Sequence, residues 1–117
     1  MRIWTQIKLL PKSLLAFAGY LIGAIPPRDL TITRIGVTEV RIRSYWKANG
    51  ELPASLSELP HLEGRDNSTI DGWGRPIKYE VAGTTTVTLS SLGADGAAGG
   101  TGLNEDIVVA FDVSQDE

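Results

Sequence analysis

The sequence predicts an α+β fold: an N-terminal hydrophobic helix, then an amphipathic helix packed on a small three- to four-stranded antiparallel sheet. Three features carry this expectation. Apolar residues recur at helical spacing after Pro26-Pro27, β-branched runs begin near Pro76, and a glycine-rich stretch separates the last two of those runs. At 117 residues the chain suffices for one domain with a modest core, and not for two. Its 42% hydrophobic and 21% charged residues exclude both a disordered chain and one wholly embedded in a membrane.

The first element is the uncharged segment Ser13 to Ile25, which follows Lys8 and Lys12. Its thirteen residues would rise about 20 Å as a helix, short of the ~30 Å hydrocarbon core. Extending it back to Ile3 makes up the length, with the lysines snorkelling to headgroups, Trp4 at the interface and a kink at Pro11. We therefore expect residues 1–27 to form an uncleaved membrane anchor and residues 28–117 a globular head. A cleaved signal peptide is the second reading, for which Ile22-Gly23-Ala24 is a poor cleavage site. A buried soluble helix is the third.

Pro26-Pro27 breaks or kinks whatever precedes it, and Asp29 or Thr31 can cap a new helix. Along that helix Ile32, Ile35, Ile42, Tyr45 and Trp46 form an apolar stripe. Arg34, Arg41 and Lys47 take other faces, and Val37 and Val40 lie off the stripe. Asn49-Gly50 supplies a left-handed cap. Pro53 to Pro60 reads as a short helical turn between prolines, and His61 to Thr69 as polar and irregular. Ile77, Tyr79 and Val81 alternate with Lys78 and Glu80, Ala82-Gly83-Thr84 turns the chain, and Thr85 to Ser90 completes a hairpin. Ile107 to Val113 makes a third strand, ahead of a frayed acidic tail.

The chemistry concentrates in the loop from Ser91 to Ile107. Five glycines between Leu92 and Leu103 let its backbone turn tightly, and Asp95, Asn104, Glu105 and Asp106 offer side-chain oxygens. Calcium takes six to eight oxygens at ~2.4 Å from carboxylates, amides, carbonyls and water, and such a loop suits it. Without a cation, Asp95 and Asp106 brought close would repel each other. The spacing is not that of an EF-hand. Phosphate binding fits poorly, because the loop contains no lysine and its charges are negative.

The run Asp71-Gly72-Trp73-Gly74-Arg75-Pro76-Ile77-Lys78-Tyr79 is followed by a strand. Ser91-Leu92-Gly93-Ala94-Asp95-Gly96, Gly99-Gly100 and Asp106-Ile107 come after it. In that order the two motifs resemble the C-terminal head of the major pseudopilins of type II secretion systems, in the type IV pilin-like superfamily. The helix exit (Tyr45, Asn49 to Pro53, Leu56, Leu59) matches too, so the resemblance spans about residues 30 to 107. It implies a long N-terminal helix packed on a small antiparallel sheet, with calcium in the loop after the second strand. By position it implies side-chain ligands at Asp95 and Asp106, backbone ligands at Leu92 and Ala97, and a further ligand at Asn104. Gly102 stands where the family often carries an acid, and Glu105 lies near enough to compensate. The Asp71–Pro76 motif reads as structural, with Trp73 as an apolar lid.

Two departures from the family pattern stand out. The sequence has no leader glycine or helix glutamate of the pilin-like type, and Val108 to Phe111 replaces a polar ending. Catalysis is not expected. His61 is the only histidine, cysteine is absent, and the Asp95/Asp106 pair has no evident substrate groove. The net charge of -3, with acids clustered late, argues against nucleic acid. The expected partners are the membrane and the protein subunits of a membrane-associated assembly, with no small-molecule substrate. Three roles remain open: a pseudopilin-like subunit of a secretion or pilus-type apparatus, an accessory docking subunit of another membrane complex, or a secreted calcium-stabilised module. The first two put the head in the periplasm or outside, tethered to a bacterial inner membrane.

Overall fold

Pro26 is extended (φ -57, ψ 150), and helix α1 begins directly after it, at Pro27. A proline at the first helical position loses nothing, since that N–H would have no intrahelical partner. The computed structural model describes residues 25–115. The hydrophobic helix, and almost all of the expected 1–27 anchor, lie outside the described residues. α1 runs Pro27–Asn49 and ends where Gly50 turns left-handed (φ 75) and donates to the Trp46 carbonyl. That is the cap expected from Asn49-Gly50. The N-terminal expectation needs correcting: no side chain caps α1 there, and Thr31 instead donates back to the Pro27 carbonyl at 2.7 Å.

The chain then passes through a short 3-10 turn, Leu56–Glu58, to strands β1 (Lys78–Ala82), β2 (Thr86–Ser91) and β3 (Ile107–Asp112). The sheet is three-stranded and antiparallel, in the order β1-β2-β3. Register puts Val81, Val87 and Phe111 across one line and Tyr79, Leu89 and Val109 across the next, all on one face. The central strand is the most enclosed, with Val87 and Leu89 both at 0% exposure. They pack with Ile35 and Ile42 of α1, and with Leu59, Ile77, Ile107 and Val113. The expected α+β class and helix-on-sheet packing are therefore present, with three strands among the described residues.

The apolar stripe differs in part from the one read in the sequence. Ile35 and Ile42 are buried and Tyr45 and Trp46 partly so, but Ile32 is half exposed and Val37 is buried instead. Arg41, placed on another face, is also buried. The reason is that α1 is covered on two sides, by the sheet and by residues 59–67. Arg41 secures the second cover. Its guanidinium donates to the carbonyls of Leu59 (3.0 Å), Pro60 (2.9 Å) and Asn67 (2.9 Å). Asn67 in turn exchanges hydrogen bonds with the Leu62 backbone, so a segment without regular structure is still well tied.

Truncating this side chain would strand three carbonyls at once. Arg41→Ala is expected to lower unfolding stability by about 2–4 kcal/mol, because each buried acceptor left without a donor costs ~1–3 kcal/mol and some will reach water. Urea unfolding measures this, and a loss under ~0.5 kcal/mol would contradict it.

Candidate metal centre

The loop between β2 and β3 folds back on itself, and two glycines make that approach possible. A Cβ at Gly93 would fall 2.8 Å from the Glu105 carbonyl oxygen, and one at Gly100 would fall 2.7 Å from that of Asn104. The Ala94 N–H donates to the Leu103 carbonyl at 2.8 Å, joining the two limbs. A short 3-10 turn at Gly102–Asn104 leads the second limb back to β3. Gly102 itself has φ +59, a left-handed backbone that favours glycine at this position.

The residues expected at a metal are distributed along both limbs. Asp106 is half-buried; its Oδ2 accepts from the Gly99 N–H at 3.1 Å, while Oδ1 is buried with no donor. Asp95 is exposed and accepts from the Ala97 N–H at 3.1 Å. Leu92, Ala97 and Asn104 are exposed, and the Asn104 carbonyl lies against Gly93 and Gly100. The structure thus brings Asp106 to the first limb at Gly99. No hydrogen bond joins the Asp95 side chain to the second limb among the described residues. Nor do three His, Cys, Asp or Glu side chains converge there as a metal cluster. The donor set still fits calcium, a hard cation that accepts carbonyls and water beside one or two carboxylates. The unpartnered Asp106 Oδ1 is the acceptor such an ion would use.

The loop is anchored by the Asp71–Pro76 turn, which the sequence marked as structural. Asp71 is 2% exposed, and its Oδ1 accepts from the N–H groups of Trp73 and Arg75, both at 2.9 Å. Oδ2 accepts from the Ser91 hydroxyl at the end of β2, at 2.8 Å. Gly72 donates to Thr31 at 2.7 Å, and a Cβ there would fall 2.2 Å from the Pro27 carbonyl oxygen. The Arg75 guanidinium donates to the Gly93 carbonyl, and that of Arg28 to the Glu105 carbonyl at 3.4 Å. The sequence marks the motifs that hold Asp71, Arg75 and Ser91, but not the hydrogen bonds that join these three side chains to the loop. The available signal was an aspartate ahead of Gly-Trp-Gly, since aspartate readily accepts from the N–H two residues on.

An open cavity of about 400 Å³ lies beside this turn, lined by Asp71, Arg75, Ile77, Lys78 and Leu92 among others. No histidine or cysteine lines it, and the single histidine, His61, is exposed elsewhere. No described helix is long and apolar enough to cross a membrane.

Comparison with known families gives a match over residues 31–110 to the family described as "Type II secretion system (T2SS), protein G". The match covers well over half of the chain, and the chain belongs to this family, the major pseudopilins. Its members are structural subunits and not enzymes. No curated protein matches the chain.

Burial pushes the Asp71 carboxyl up, but hydrogen bonds from Arg75, Ser91 and Trp73 and the charge of Arg75 outweigh it, leaving a net lowering. A carboxylate lowered on folding contributes stability above its unfolded value, near pH 4, and that stability is lost as pH falls through the lower folded value. Urea unfolding at descending pH should therefore show stability falling from about pH 4 downward. Asp71→Asn should be less stable at pH 7 by about 1–3 kcal/mol and lose stability less steeply in acid. An equally steep acid loss in Asp71→Asn would refute this role. Asp66, lowered by its hydrogen bond from Arg34, and Asp112, lowered by Ser114, supply the remaining slope.

Proposed function

We propose that the chain is a structural subunit of a type II secretion pseudopilus, tethered to the inner membrane by residues 1–27, with its head in the periplasm. Membership of the major pseudopilin family supports the assembly role and the protein partners it implies. A calcium ion holds the loop in this reading. Asp95 and Asp106 supply side-chain oxygens, Leu92 and Ala97 supply carbonyls, and Asn104 a further oxygen. The observation that carries it is the buried Asp106 Oδ1, an acceptor without a donor in a loop whose two limbs are already closed around it.

The ion's work in this reading is mechanical. It would neutralise Asp95 and Asp106 and cross-link the limbs, leaving a rigid surface beside β3 for neighbouring subunits. A second reading, an accessory subunit that docks its head without building a filament, is favoured by one detail. Pro26 is extended, and α1 starts directly after it at Pro27. Intact mass of the membrane-extracted chain and the stoichiometry of its co-purified partners separate the two. Many copies of this chain per assembly support the first, and one or two support the second.

Thermal unfolding of the full chain in calcium or in chelator tests the metal. A ligand that binds only the folded state adds about 2.7 kcal/mol at a hundredfold excess over Kd, or roughly 10–20 °C for a head of this size. Asp106→Asn retains an acceptor for Gly99 but gives up the charge, and should reduce the calcium-dependent shift to a few degrees. Equal melting temperatures with and without calcium would overturn the metal reading and leave the family assignment intact.

A further inference from the structure

We propose that Arg75 is a positioning residue for the metal loop, holding its first limb so that Leu92, Asp95 and Ala97 present their oxygens to one cation. The inference rests on the calcium reading above and adds a residue to it. Arg75 touches the loop at two points that bracket Asp95. Its guanidinium donates to the carbonyl of Gly93, the residue after Leu92. It also packs against Gly96, the residue between Asp95 and Ala97, where Cζ, Nη1 and Nε lie 3.0 to 3.2 Å from the position of an added Cβ.

The side chain can do this because its own backbone is held at both ends. The Arg75 N–H donates to Asp71 Oδ1 at 2.9 Å, and its carbonyl accepts from the Asp71 N–H at 2.7 Å. Gly93 is held from its other side as well. Its N–H donates to Ser91 Oγ at 3.3 Å, and that hydroxyl donates to Asp71 Oδ2 at 2.8 Å. Asp71, Ser91, Gly93 and Arg75 therefore form a closed circuit of hydrogen bonds around the entry to the loop.

Charge alone does not explain the arrangement. A half-buried guanidinium ordinarily lies against a carboxylate, and three acids stand in this loop. Arg75 makes no ion pair with any of them, its Nε is buried without an acceptor, and its donor is given to a backbone carbonyl. A cation beside a metal site would, if anything, repel the metal. What the geometry provides is shape: two glycines kept in place on either side of a ligand. Groups that orient ligands without touching the ion are commonly worth 10–100-fold in metal affinity.

Calcium titration of the full chain by calorimetry, on wild type, Arg75→Ala and Arg75→Lys, decides the matter. The expected result is a Kd raised about 10–100-fold in Arg75→Ala and partly restored in Arg75→Lys, whose ammonium can still donate to Gly93. In chelator, the amides of Ala94 and Gly96 should exchange faster in Arg75→Ala, while those of β2 keep wild-type protection and show that the variant is folded. An unchanged Kd in Arg75→Ala overturns the proposal. So does a lower one, which would mean that the guanidinium only repels the ion. Wild type that takes up no calcium overturns the metal reading and this inference together, and the wild-type titration alone identifies that outcome.

Discussion

One buried carboxylate organises this head. Asp71 accepts three hydrogen bonds, from Trp73, Arg75 and Ser91, and its own N–H donates to the Arg75 carbonyl. Burying a charge is tolerable only when hydrogen bonds replace the lost water, and here local N–H groups and one hydroxyl do so. Because Ser91 closes β2 and Arg75 reaches Gly93, the same carboxylate also sets where the sheet ends and where the loop begins. The turn it stabilises presses Gly72 onto the first turn of α1, where no larger residue fits against the Pro27 carbonyl. Helix, sheet and loop thus meet at one side chain.

That meeting matters because α1 is a weak helix by composition. Its first half is rich in threonine, isoleucine and valine, whose branched side chains lose rotamer freedom in a helix. Such a segment depends on tertiary contacts. The sheet covers one side through Ile35 and Ile42, and Arg41 draws residues 59–67 over another. Thr31 and Thr38, both at 0% exposure, settle their hydroxyls on carbonyls one turn back, at Pro27 and Arg34. Polar residues can therefore occupy the covered faces without leaving donors unpaired.

These two facts explain what could be read from the sequence and what could not. The strands were legible because alternation at Ile77, Tyr79 and Val81 and the β-branched run after Thr85 follow a period of two, which local sterics enforce. The Gly50 cap was legible because left-handed backbone leaves so few choices. The stripe on α1 was misread at Ile32, Val37 and Arg41, because a helix covered on two sides has no single apolar face to find. In the loop, glycine and acid content gave its character, but the circuit through Asp71, Ser91 and Arg75 joins residues twenty positions apart. Such contacts follow from register and turn geometry, and no local pattern announces them.

The proposed ion answers a remaining energetic question. A long loop with five glycines has much conformational freedom to lose, at ~1–2 kcal/mol per ordered residue and more for glycine. The ties that join its limbs or hold them to the rest of the head include Ala94 to Leu103, Gly99 to Asp106, Arg75 to Gly93, Gly93 to Ser91 and Arg28 to Glu105. Each contributes about 1 kcal/mol net, and the Arg28 contact lies on the surface. The chain has no cysteine with which to cross-link the limbs, and Leu103 exposes its side chain instead of packing it. A multidentate cation, as proposed, would order both limbs while neutralising Asp95 and Asp106. The anchoring turn fixes where the loop starts; the proposed ion would reinforce the place where its two limbs already meet, at Ala94–Leu103 and Gly99–Asp106.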